Sequence, residues 1–212
     1  MNNMMNGLAI SAMICLFSVS GMASAASVNY VVNGDFEASQ LQNNAWGVFG
    51  AIDGWTKTEG DGIEVQNGNI GGSKAYSGNQ KVELDSHSNS GMSQDIKLDA
   101  GDYLLSFAYC GRTDNANANT NSITYSFLKT GIPEQTISGV SGDGWKVFNF
   151  YFNLADVTTI TLNFKAVGTS DSLGGYLDAV SVTSVPVPPA VWLFGSALMG
   201  LVGVARRQTP KV

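Results

Sequence analysis

The chain has 212 residues, of which only 13% are charged, with a net charge of −6 and a mean hydropathy of +0.05. That length holds one domain of ordinary size once two apolar termini are set apart; residues 26 to 184 carry all 17 Asp and Glu against eight of the 11 Lys and Arg, a charge of −9. An acidic surface of this kind excludes nucleic acid and anionic membrane faces as partners, because both demand a basic patch, and it is compatible with Ca2+ and neutral sugars.

From Met1 to Ala25 a polar start gives way to an apolar run through Leu8, Ile10, Met13, Ile14, Leu16, Phe17 and Val19, then to Ala23-Ser24-Ala25. This order predicts a secretory signal peptide over 1–25, cut after Ala25, with the α-amino group as its only early positive charge. Cys15 follows Ile14, where lipoprotein processing wants a small residue, so it is not read as a lipidation site. Cys110 is then the only cysteine of the mature chain, which excludes an internal disulfide. Buried packing is its first reading and a reactive or intermolecular thiol its second.

Over 26–184 the hydrophobic period is close to two and no long window carries a helical stripe. Candidate strands run Val28 to Val32, Gly62 to Gln66, Gln80 to Leu84, Met92 to Leu98, Tyr103 to Cys110, Ser122 to Lys129, Gln135 to Ser138, Trp145 to Phe152, Thr159 to Lys165 and Tyr176 to Thr183. Asp99-Ala100-Gly101-Asp102, Ser141-Gly142-Asp143-Gly144 and Gly174-Gly175 are expected to supply the positive φ that tight connections need. Many short strands at regular spacing predict an all-β domain, a single antiparallel β-sandwich of jelly-roll type. Along β-strand alternation Phe148, Phe150 and Phe152 share one face and are core candidates. Asp114 to Asn121 is polar and low in complexity and reads as an exposed loop.

The chemistry-bearing residues are sparse. There is no Gly-x-Ser-x-Gly elbow, no His-Glu-x-x-His, no phosphate-cradling loop and no Cys-x-x-Cys. His87 is the only histidine, so no site can hold two, and it reads as a solvated loop residue. A two-carboxylate glycosidase is defined by separation in space, and nothing in the sequence singles out a pair. Two features stand above this background. Asn33-Gly34-Asp35-Phe36-Glu37 lies beside the first strand and Asp178 in the last; if those strands are neighbours, the oxygens of Asp35, Glu37 and Asp178 converge either on a hard cation such as Ca2+ or form an ordinary strand-end turn. Trp46, Trp55, Tyr76, Tyr109 and Arg112 fall in loops or at strand ends, the mix of flat rings and fixed polar groups that a sugar site needs. Core packing is the first reading of Trp55 and ligand contact its second.

The C-terminus, 185–212, reads Val185-Pro186-Val187-Pro188-Pro189, then 16 uncharged residues over 190–205, then Arg206-Arg207 in a basic tail over 206–212. As a helix the apolar stretch would span about 24 Å, slightly short of the roughly 30 Å hydrocarbon core. Trp192 suits an interfacial anchor and the arginines suit the cytoplasmic side, which predicts a transmembrane helix with the rest of the chain outside. A helix apolar on every face fits poorly against an all-β domain.

In order, Val31-Val32-Asn33-Gly34-Asp35-Phe36-Glu37, Gly54-Trp55, Ile63 to Gln66, Gln80 to Leu84, Met92-Ser93-Gln94, Ala100 to Phe107 and Leu177 to Val182 resemble the exported choice-of-anchor families related to DUF-642 cell-wall proteins, which are similar to galactose-binding-like jelly rolls. The tail resembles a PEP-CTERM sorting signal, the substrate of the membrane protease-transpeptidase exosortase, with Pro186, Pro188 and Pro189 marking the processing region. These resemblances imply export in a Gram-negative bacterium, passage through an inner-membrane-anchored form to the cell surface or matrix, and association with exopolysaccharide or biofilm. They also imply a structural Ca2+ where Glu37 and Asp178 fall. A non-catalytic module that binds polysaccharide is the function expected, with a self-associating matrix protein and a glycan-active hydrolase as the alternatives.

Overall fold

A computed structural model of the chain describes residues 27–114, 120–128, 132–139 and 144–185. The expectations for the signal peptide with Ala25, for Cys15, and for the tail from Pro186 onward, with Pro188, Pro189 and the transmembrane helix, lie outside the described residues. Among the described residues no helix is long and apolar enough to cross a membrane.

Among the described residues twelve strands follow in chain order: β1 (Trp46–Phe49), β2 (Ala51–Ile52), β3 (Trp55–Glu59), β4 (Ile63–Asn67), β5 (Gln80–Glu83), β6 (Gly91–Leu98), β7 (Gly101–Cys110), β8 (Ser122–Leu128), β9 (Ile132–Ser138), β10 (Lys146–Leu154), β11 (Thr158–Ala166) and β12 (Tyr176–Ser184), with a 3-10 turn at Ile70–Gly72. They form two six-stranded sheets, ordered β1-β4-β5-β12-β7-β10 and β2-β3-β6-β11-β8-β9, with antiparallel pairing throughout. Alternation in the sequence becomes the two faces of each strand. In β11, Ile160, Leu162, Phe164 and Ala166 are buried while the residues between them are not.

The core between the sheets is aromatic at its centre. Phe107 of β7 lies 5.1 Å from Phe164, 5.2 Å from Tyr125 and 5.5 Å from Phe148, ring centre to ring centre, so both sheets meet on one side chain. The registers Phe148↔Phe107, Phe150↔Leu105 and Phe152↔Tyr103 put the three expected phenylalanines on the inner face, with Phe152 buried and the other two packed against the core. Trp55 is fully buried beside Phe36 and Phe164, and its indole N–H donates to the Asn33 carbonyl.

Several expectations are corrected. Residues 28–32 do not form a strand: only Asn29 bridges to Thr183, because side-chain amides take the backbone groups that a partner strand would otherwise pair. Asn29 Oδ1 accepts from Val31 N and Val182 N, while Gln94 accepts from Val32 N and donates to Val32 O. β1, β2 and β3 were not expected, being short and too broken by glycine to alternate visibly. Gly174 and Gly175 have no positive φ; they are glycine for space, since a Cβ on Gly175 would run into Tyr109 Oη and one on Gly174 into Asp85. Thr120 and Asn121 are buried rather than part of an exposed loop, and Asn121 Oδ1 accepts from Arg112 N. Cys110 is buried and unpaired by any disulfide.

Candidate functional site

The register of the first sheet decides which side chains share its outer face. Trp46 pairs with Gln66 and Gln66 with Lys81, while Glu64 pairs with Glu83, Glu83 with Tyr176 and Tyr176 with Cys110; Asp178 pairs with Ala108. All of these face away from Val65, Val82 and Leu105, which lie in the core. The outer face is therefore polar, yet Gln66, Lys81, Glu83, Tyr176 and Asp178 are all buried. What buries them is the segment between β4 and β5.

That segment is tied down by the polar groups it covers. Lys81 Nζ donates to the Gly68 and Ile70 carbonyls at 3.3 and 3.2 Å and lies 4.5 Å over the Tyr176 ring. Asp178 Oδ2 accepts from the backbone of Tyr76 and Ser77 at 2.8 and 2.9 Å, and Glu37 Oε1 accepts from Asn79 and Gln80 at 2.6 and 2.7 Å. Gly71 rests on the sheet at φ 64, where a Cβ would run into Tyr176 Oη, so both conformation and contact require glycine.

Beside this covered region the outer face opens into a cleft of about 310 Å3 lined by Trp46, Glu64, Gln66, Ile70, Ser86, His87, Arg112 and Ser172. Trp46 is 54% exposed and its ring lies 6.3 Å from the imidazole of His87. The floor is a connected polar network. Gln66 Nε2 donates to Glu64 Oε1 at 2.8 Å and to Glu83 Oε2 at 2.7 Å; Arg112 NH1 donates to Glu83 Oε2 at 2.8 Å and its Nε to Asp114 at 2.6 Å. Glu83 Oε1 accepts from Gly174 N at 2.6 Å. Gln66 Oε1 is buried with no hydrogen-bond partner.

Burial sets the titration of this floor. Desolvation pushes the Glu64 carboxyl up, and desolvation followed by the neighbouring Glu64 pushes Glu83 from 4.5 up to about 8, with Arg112 pulling it back. The unfolded chain sheds the Glu83 proton near 4.5 while the folded chain holds it to about 8. Between those values the folded state binds more protons, so this stabilisation is fully present below about 4.5 and is lost as pH rises through 8. Chemical denaturation at pH 5 and pH 8.5 is expected to give a smaller fall in stability for Glu83→Gln than for the native chain; equal slopes would refute the assignment.

Of the residues expected to bind ligand, Trp46 and Arg112 meet in the cleft. Tyr76 does not join them: it is 49% exposed against Trp145, 5.9 Å away, and Trp145, held by its indole N–H to the Lys74 carbonyl, directly precedes the strand at the opposite edge of the sheet from Trp46. Tyr109 is corrected outright: it is 1% exposed in the core, and its alternation on β7 puts it between the sheets. Glu64, Gln66, Ser86 and Trp145 carry no motif, and His87, read as a solvated loop residue, is exposed but stands against Trp46.

Asp35, Glu37 and Asp178 do come to one end of the sandwich, where Val180 N donates to the Gly34 carbonyl. As arranged they do not fit a Ca2+ cage of six to eight oxygens. Both Asp178 oxygens and Glu37 Oε1 accept backbone N–H groups, Asp35 is exposed, and no three acidic, His or Cys side chains converge among the described residues.

The outer-face carboxylates also bear on catalysis. A nucleophile or general acid needs an oxygen turned toward substrate, whereas both oxygens of Glu83 are engaged with Gly174, Gln66 and Arg112. The floor is built to hold shape.

No family model and no curated protein matches the chain. Among solved structures it is similar to TmCBM61 in complex with β-1,4-galactotriose, at 19% identity and a TM-score of 0.53 over 75% of this chain and 100% of that one. Fainter likenesses are a family 16 carbohydrate-binding module at 20% identity and a TM-score of 0.48 over 73% and 99% of the two chains, and the enzymatically active domain of bacteriophage CBA120 tailspike protein 4 at 15% and 0.46 over 74% and 21%. The first of these likenesses establishes the fold, an all-β two-sheet sandwich of the jelly-roll-like kind seen in carbohydrate-binding modules.

Proposed function

We propose that the protein is an exported, non-catalytic module that binds polysaccharide at the cell surface or in the surrounding matrix. The observation that carries this reading is the Trp46 cleft: a half-exposed indole standing over a floor of Glu64, Gln66 and Arg112 whose geometry is fixed by its own hydrogen bonds. A sugar offers apolar C–H faces to the ring and hydroxyls to the floor, and a preorganised floor spends little free energy on ordering when it binds. A polymer suits the site better than a single sugar. Trp46 stands on β1 at one edge of the sheet, while Tyr76, held over β12, and Trp145, beside β10, stand toward the other edge.

Full-length protein in mild detergent is expected to bind one or more immobilised polysaccharides saturably. Retention at background for every glycan, with concentration-dependent assembly of the protein alone, would favour a self-associating matrix protein instead. The export half of the reading rests on the two ends of the sequence, with exosortase as the sorting partner and the inner membrane as the transient anchor. Mass spectrometry of protein recovered from the producing cells is expected to find Ala26 at the N-terminus and a C-terminus near 186–189. An intact Met1 would remove the signal-peptide reading.

A further inference from the structure

We infer that the Trp46 cleft selects uncharged, hydroxyl-rich polysaccharide and rejects polysaccharide bearing carboxylate or sulfate groups. The inference rests on the glycan-binding reading above and concerns which glycans the same site accepts.

It follows from what the cleft's polar atoms have left to offer. An acidic sugar needs a cation whose charge is not already met, and Arg112, which lines the cleft, is held between two carboxyl groups, while Lys81 lies beneath the loop. Arg112 spends NH1 on Glu83 at 2.8 Å, and Nε and NH2 on the two oxygens of Asp114 at 2.6 and 3.3 Å. Lys81 is fully buried beneath the loop, with Nζ on two backbone carbonyls and the Tyr176 ring. Turning Arg112 toward a bound anion would take it from the buried Glu83, and turning Lys81 would leave two carbonyls of the covering loop unpaired.

The groups left unfilled in the cleft are Gln66 Oε1, an acceptor, and Ser86 Oγ, a hydroxyl that both accepts and donates. Gln66 Nε2 donates to both Glu64 and Glu83, and these two bonds set the orientation of its amide. Its Oε1 is thereby fixed and buried with no donor, although Gln66 is 1% exposed and lines the cleft. An orphaned buried acceptor is an unfavourable state that one hydroxyl donor relieves. Glu64 lines the same cleft as a further acceptor, kept from water by burial that raises its carboxyl above the ordinary range. A sugar hydroxyl supplies the missing proton; a uronate or sulfate oxygen supplies another lone pair, leaves Gln66 Oε1 unpaired and faces the Glu64 carboxylate. Selection therefore includes a repulsive element as well as an attractive one.

The test compares dextran, pullulan and galactan with their carboxymethylated and sulfated derivatives, titrated calorimetrically into full-length protein at about 0.15 M salt, where the Debye length is about 8 Å. The uncharged parent of any bound polymer is expected to bind about tenfold or more tightly than its charged derivatives. Equal or tighter binding of the charged derivatives overturns this inference and leaves the glycan-binding reading standing, whereas binding of neither class removes both. Glu64→Gln is expected to narrow the preference between the parent polymer and its charged derivatives. An unchanged preference in that variant, with the melting temperature held, would refute the part given to Glu64.

Discussion

Trp46→Ala is expected to weaken polysaccharide binding about 30-fold or more, as truncation of a central aromatic anchor does, while leaving the fold intact. The two halves of that expectation have separate causes. The indole is 54% exposed and belongs to no part of the core cluster, so its removal leaves no cavity and changes stability by about 0.5 kcal/mol at most. Its ring is nonetheless held beside His87 at the rim of a cleft whose floor cannot rearrange, and it presents the flat apolar surface on which a sugar ring stacks. Titration calorimetry with the tightest-binding polymer, paired with a thermal melt of the variant, reads both quantities. Unchanged affinity would move the binding site off this cleft, with the Tyr76/Trp145 pair the next place to look.

Asp178→Ala is expected to destabilise the domain by about 3 kcal/mol or more, the sum of several stranded donors less the relief of one buried charge. Asp178 is fully buried, and burial pushes its carboxyl from 3.8 up to about 7. Three backbone N–H groups, from Tyr76, Ser77 and Ala179, donate to it, and two of them belong to the segment that roofs the outer face. Alanine leaves all three without this acceptor and releases the roof from β12. Asp178→Asn, which keeps one acceptor, is expected to lose about half as much. Urea titration of the three proteins decides the order. If alanine is neutral or stabilising, the buried charge outweighs its hydrogen bonds. If chelation lowers the melting temperature of the native chain, a cation, and not the N–H groups alone, satisfies these carboxylates.

Much of the sandwich was legible because burial on one face writes a period of two into the sequence. The strands with strong alternation, β6, β7, β10, β11 and β12, lie within one or two residues of where the pattern puts them. The misses share a cause: local order there is set by groups distant in sequence. Residues 28–32 look like a strand, but Asn29 and Gln94 side chains take their backbone partners. Trp46–Phe49 does not look like one, and exists because β4 pairs with it.

The binding residues divide in the same way. Trp46 and Arg112 were visible as residue types suited to sugars, and so was Tyr109, whose alternation on its own strand turns it into the core. Glu64, Gln66, Lys81 and Glu83 alternate with core residues in two expected strands, so their common polar face was available to sequence reasoning. The roof over that face was not. By itself the sequence determined an all-β sandwich, the inward set of each strong strand and an acidic domain with a single histidine, because those follow from composition and local period. Only the tertiary structure decided that a loop tied by Lys81, Glu37 and Asp178 covers part of an outer sheet face, and that Trp46 and Arg112 meet beside it. Strand register and long-range hydrogen bonds fix those contacts, between residues as far apart as Tyr76 and Asp178, and no local pattern encodes a separation of that kind.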